Sequence, residues 1–279
     1  MLPFVDMSPE GDQEYFGDGL ADTLLHVLAQ IKGLKVAART SSFAFKGKDI
    51  LVSEIATELG VAHVLEGSVQ TAGTQLRVIA QLIEAEGGTH LWSGTFTGPR
   101  QDVFRIQDEI SAEVVEALHF AILQSDEDRL KQRYQPSLDA YDQFVLGRHE
   151  MGKGTVAGLT AAVEHFERAI ELDPDYPLPY VQLADTHRWL EVYAFGFQDS
   201  FSALPTQPTQ ELQRPLLEQA LRLDPLSGEA YASLASIELD EEKAEAEFLK
   251  ACLLYTSPSP RDKIHDRVCR LLLEKGGGG

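Results

Sequence analysis

The sequence predicts an α/β (α+β) amino-terminal domain with a mixed sheet, followed by an all-α array of helical repeats. Two observations predict it. In the first half, apolar residues recur at helical spacing, then alternate in β-rich runs broken by glycine turns, then return to helical spacing. In the second half, "AAVEHFERAIELDPDYPLPYVQLADTH" and "RPLLEQALRLDPLSGEAYASLASIE" are two copies of one pattern.

Taken in order, "LPFV" reads as a strand and Ser8, Pro9, Glu10, Gly11 and Asp12 as a turn-rich loop. From Glu14, the residues Leu20, Leu24, Leu28 and Ile31 mark one face of a helix, with Gly33 as its stop. "LKVAART" reads as a strand. "ILVSEIATELG" reads as a short helix with Leu51, Ile55 and Leu59 on one face and Gly60 as its cap. "AHVLEGSVQTAGTQLRVIAQLIEAEGGTHLWSGTF" reads as an antiparallel meander that turns at "TAGT" and "EGGT". "DVFRIQDEISAEVVEALHFAIL" closes the domain as an amphipathic helix striped by Val103, Ile106, Ile110, Val114 and Leu118.

In the repeat, Phe166, Ala169, Leu172 and Pro174 correspond to Leu217, Ala220, Leu223 and Pro225, and Tyr180, Leu183 and Ala184 to Tyr231, Leu234 and Ala235. These residues resemble the tetratricopeptide repeat, in which small residues let paired helices approach and a proline ends the second helix. The copies lie ~50 residues apart rather than the usual 34, so an insertion is required, and "AFGFQDSFSALPTQPTQ" supplies it. "SLDAYDQFVLGRHEM" looks like the first helix of the first repeat, and Ala244, Phe248 and Ala251 begin a third copy.

The first half has its own resemblance. "LPFVDMS", "EYFGDGLADTL", "VAARTSSFAFKGKD", "ELGVAHVLEGSV", "LRVIAQLIEAEGGTHLWS" and "VFRIQDEIS" resemble the FlgO-like domain, similar to the TolB amino-terminal domain, over most of Leu2 to Leu123. "GTFTGPRQD" after Trp92 departs from it, where relatives carry charged residues. The resemblance implies an upstream effector in the full-length protein: a nucleotide cyclase, a winged-helix DNA-binding domain or a kinase, often across a membrane helix.

The end of the chain stands apart. "CLLYTSPSPRD", then "DRVCRLLLEK", then four glycines resemble one reading frame of a transposase-type sequencing adapter, with Arg267 the one departure. The alternative is a linker and a short helix. On the adapter reading, residues 252–279 are not native, and with Cys252 and Cys269 removed the remainder has no cysteine for disulfides, thiol chemistry or metal binding. The expected organisation is therefore 1–124 FlgO-like, 125–136 linker, 137–251 tetratricopeptide repeats and 252–279 adapter.

Composition narrows the function. The 279 residues carry a formal charge of −20, which disfavours nucleic-acid binding by this segment, because phosphate contacts require a basic face. No apolar run approaches the ~20 residues of a membrane span, and the first residues lack a signal peptide's pattern. The compartment is left open: periplasmic if a membrane helix precedes the segment, cytoplasmic otherwise.

Few features suggest chemistry. "GRHEMGKGT" approaches a phosphate-binding loop at Gly147, Gly152 and Lys153. Gly154 stands where the magnesium-binding hydroxyl belongs, and the preceding segment reads as helix, so an interhelical turn is expected. Asp18 and Asp22, with Glu14 nearby, fit acid–base work or the first turns of a helix. Lys32, Lys35, Arg39, Lys46 and Lys48 form a basic cluster, either an anion site or a solvated face. Ser41 and Ser42 have no local base. His26, His63, His90, His119, His149, His165, His187 and His265 show no metal-ligand spacing.

In tetratricopeptide arrays the first helix of each pair lines a concave surface on which ligand peptides lie. Counting along the helix from Tyr180 at the buried face points Val181, Asp185, Arg188 and Trp189 to that surface as a candidate peptide groove, unless Trp189 packs under the insertion. The expected function is non-catalytic: a protein-interaction or regulatory region of a bacterial signalling or envelope protein, without cofactor or metal, binding a protein or peptide. The alternatives are the carboxy-terminal regulatory region of an adenylate or guanylate cyclase, and the sensory region of a DNA-binding regulator.

Overall fold

The computed structural model describes residues 1–29, 31, 34–118, 134–196, 209–238 and 241–254, with backbone alone at 194–196, 209–210, 241–242, 248 and 252–254. The insertion between 197 and 208, most of the 125–136 linker and residues 255–279 therefore lie outside the described residues. Two compact units divide the chain between residues 133 and 134.

The first unit runs β1 (Val5–Asp6), α1 (Glu14–Ala29), α2 (Arg39–Phe43), α3 (Val52–Leu59), β2 (His63–Ala72), β3 (Gln75–Glu84), β4 (Thr89–Pro99) and α4 (Val103–Ala117). The sheet has the order β1-β2-β3-β4, with β1 parallel to β2 and the other pairs antiparallel. Register places Val69 beside Val78 and Val78 beside Phe96, so one face of the meander is continuously apolar. That face meets Phe16, Leu20 and Leu24 of α1 and Val103, Ile106 and Ile110 of α4, all fully buried. The glycine turns fall where expected, with Gly73 and Gly88 at φ 60°, a conformation that costs glycine little.

Two expectations need correction. "LKVAART" is not a strand: 34–38 carry no ladder, and Arg39 opens α2. Its residues Val36, Ala37 and Ala38 are buried, so the apolar run packs without pairing. Leu51, placed on the buried stripe of α3, is 68 % exposed. It is the residue before the helix, at φ −63° and ψ 140°, so helical phase does not yet apply to it. Gly60 does cap α3, in the left-handed conformation at φ 65°.

A bulge at Leu82/Ile83 was not anticipated. Leu82 pairs with Trp92 and Ile83 with His90, which leaves Leu91 without a partner and 44 % exposed.

The second unit is helical: α5 (Leu138–Gly152), α6 (Val156–Leu172), α7 (Pro177–Gly196), α8 (Thr209–Leu223), α9 (Gly228–Ile237) and α10 (Glu241–Leu254). Each helix packs on the next, and α7 also touches both α5 and α9. The two repeat copies make the same turn. Asp173 N bonds Ala169 O and Tyr176 N bonds Asp173 O; Asp224 N bonds Ala220 O and Ser227 N bonds Asp224 O. Hydroxyls cap three of the helices: Ser137 accepts from Ala140 N, Thr155 from Gly158 N and Ser227 from Ala230 N.

Close approach of α5 and α6 depends on Gly147. A Cβ there would lie 2.6 Å from the Phe166 ring, which is fully buried. Gly147→Ala is therefore expected to cost about 1–3 kcal/mol by overpacking, read as a shifted denaturant midpoint. Cys252, where the adapter resemblance begins, falls inside α10.

Candidate partner-binding face

The phosphate-loop likeness resolves into a turn. Its lysine is engaged, Lys153 Nζ lying 2.6 Å from Glu150 Oε1. Thr155, the nearest hydroxyl, caps α6, and Gly154 sits at φ 61° with its carbonyl accepting from Tyr193 at 2.8 Å. A helix rather than a strand precedes the turn, and the Lys153 and Gly154 amides donate to its last carbonyls, at Glu150 and Met151. We expect Lys153→Ala to leave nucleotide binding unchanged in a titration.

Two cations of the basic cluster, Lys46 and Arg39, reach carboxylates of α1 from which they are separate in sequence. Lys46 Nζ lies 2.5 Å from Asp18 and 2.8 Å from Glu14, and Arg39 Nε 3.1 Å from Asp22. Arg39 also covers the Phe43 ring at 4.1 Å. These pairs tie α1 to the α2 region and engage Lys46 and Arg39, two of the cations an anion site would use. Lys32 lies outside the described residues, while Lys35 and Lys48 are exposed. Ser41 and Ser42 are buried. Among the described residues, no group of three or more His, Cys, Asp or Glu could hold a metal ion, and no helix is long and apolar enough to cross a membrane.

A cleft of about 770 Å³ borders β1 in the first unit, lined by Val5, Met7, Phe45, Lys48, Ile50 and Glu66 among others. Sequence reasoning did not find it, because its walls come from segments far apart in the chain, from Leu2 to Gln81.

The helical unit presents a polar seam where α5, α7 and α9 meet. Arg148 of α5 donates to the Gln182 side chain of α7. Ser233 of α9 donates to Asp185 Oδ1 at 2.8 Å. Arg188 lies 3.7 Å from Asp185 and donates to Ser236 Oγ at 3.2 Å. Its guanidinium carbon is 5.9 Å from the Trp189 ring centroid. Burial raises the Asp185 carboxyl above its usual range, against the opposing pull of Arg188 and Ser233.

The four groove residues separate. Trp189 is 45 % exposed, with Val192 at 55 % one turn on, and Arg188 is half-buried beside it. Val181 does not reach the open surface: it is 1 % exposed and packed with Tyr180, Ala184, Leu217 and Leu234. Counting along one helix put it on the open side, but α7 is covered by α8 and α9 at that level. Arg148, Gln182, Ser233 and Ser236 were missed. The repeat offset held the signal for the last two, since Gln182 and Asp185 correspond to Ser233 and Ser236 in the next copy.

Together these features define a chain with one unit built on a four-stranded mixed sheet and a second of successively packed helical pairs. No family model matches it. It is 33 % identical over 237 residues to "Putative adenylate cyclase 3" of Rhizobium meliloti (strain 1021), a match that takes in 84 % of this chain but 39 % of that protein's length. Among solved structures it is similar to the first TPR of Spaghetti bound to an HSP90 peptide, at a TM-score of 0.34 and 13 % identity, over 50 % of this chain and 94 % of that one. A likeness that slight bears on neither fold nor ligand.

Proposed function

We propose that this chain is the protein-interaction and regulatory region of a bacterial signalling protein, a FlgO-like domain followed by tetratricopeptide repeats that hold a segment of a partner. The observation that carries it is the seam of α5, α7 and α9, which leaves Arg188 and Trp189 on an accessible face. An indole and a guanidinium side by side are the residue types that dominate interface energetics. The repeat pattern and the paired-helix packing support the tetratricopeptide reading; the motifs from Leu2 to Leu123 support the FlgO-like one.

Peptide arrays probed with the whole chain test it. Trp189→Ala should weaken capture of the bound segments by about 2 kcal/mol, the scale of an interface hot spot. Unchanged capture would remove Trp189 from the binding face. Saturable nucleotide binding abolished by Lys153→Ala would replace the whole reading with an enzymatic one.

The Rhizobium meliloti relative favours a more particular version, in which the region regulates an adenylate cyclase whose catalytic domain lies elsewhere in the full-length protein. Deleting the corresponding 237 residues from that relative and measuring cyclic AMP synthesis tests it. Unaltered synthesis under all conditions would sink regulation. The proposed domain limits, 1–124 and 137–251, predict a stable proteolytic fragment ending near 125–136. Residues 252–279 are proposed to be adapter-derived, which resequencing of the source DNA decides.

A further inference from the structure

Asp185 occupies the junction of α7 and α9 and is faced by charge from three helices: Arg188 on its own, Arg148 from α5 and Glu229 from α9. Its Oδ1 accepts from Ser233, and the Arg188 guanidinium at 3.7 Å is an ion-pair neighbour beyond hydrogen-bond length. The Asp185 side chain retains 21 % exposure, so solvent can exchange a proton with it, and that of Arg188 retains 39 %. Arg188 in turn bridges to Ser236 and lies against Trp189.

We propose that Asp185 is a proton-operated tether: as a carboxylate it holds Arg188 against the α7–α9 seam, and once protonated it releases the guanidinium beside Trp189 to the open face. Burial works first toward the neutral form; Arg188 and Ser233 oppose it, Glu229 assists it and Arg148 opposes it. A carboxyl raised by folding contributes stability in full below its unfolded value, about 4, and loses that contribution as pH rises through its folded value. The tether therefore operates at a pH above the ordinary carboxylate range. Its effect on partner capture rests on the binding face proposed above; the tether itself does not.

The chain has two tryptophans, so in a Trp92→Phe background Trp189 is the only indole. Its emission, followed from neutral pH downward, is expected to shift with a midpoint above about 4. In Asp185→Asn the shift should vanish, and the neutral-pH emission should match the acid form of the parent. The same transition persisting in Asp185→Asn would overturn the proposal. Carboxyl ¹³C titration of Asp185 in the unaltered chain covers the case of a variant that does not fold, and a midpoint at or below about 4 there overturns it equally. The expected titration, with no peptide captured at any pH, would support the tether while defeating the binding-face reading.

Discussion

Phe166→Ala is expected to destabilise the helical unit by about 3–5 kcal/mol, the range for removing a fully buried aromatic ring. The ring is 0 % exposed, its centroid lies 6.1 Å from that of Phe144, and Phe144 packs edge-on against Tyr176 at 5.3 Å. It also fills the space left by Gly147, where not even a methyl group fits. Truncation would thus open a cavity between α5 and α6, whose walls cannot close without moving both helices. Denaturant unfolding, with amide exchange across 138–172 to localise the loss, measures it. A loss under about 1 kcal/mol would mean that the helices repack.

Gly67→Ala should be comparably severe in the first unit, about 3 kcal/mol, the upper end of ordinary overpacking. A Cβ at Gly67 would fall on the carbonyl oxygen of Ile79 in the neighbouring strand and lie 3.1 Å from the Phe4 ring. Ile79 belongs to the β2–β3 ladder, where Gly67 pairs with Ala80, so backbone rather than a flexible side chain would have to move. The variant should lower the unfolding midpoint and weaken amide protection in 63–84. Protection unchanged from the parent would argue against the tight β2–β3 approach.

Much of the candidate face was legible in part. Arg188 and Trp189 could be placed by counting along α7, because helical phase holds within one helix. Val181 could not, since its surroundings come from α8 and α9. The ion pairs of Lys46 and Arg39 were equally hidden. Asp18 and Lys46 are 28 residues apart, and no local periodicity links them.

What the sequence by itself determined is local. The stops at Gly60, Gly73 and Gly88 and the apolar stripe from Val103 to Val114 follow from backbone sterics and periodicity within a few residues. The repeat was readable for the same reason, because each copy encodes its own turn. Only the tertiary structure decided whether "LKVAART" joined a sheet, whether Lys46 and Arg39 met counter-charges, and which side of α7 was open. Those outcomes depend on partners distant in the chain: a strand exists only where another pairs with it, a charge is available only where no counter-charge folds onto it, and a helix face is exposed only where no other helix covers it.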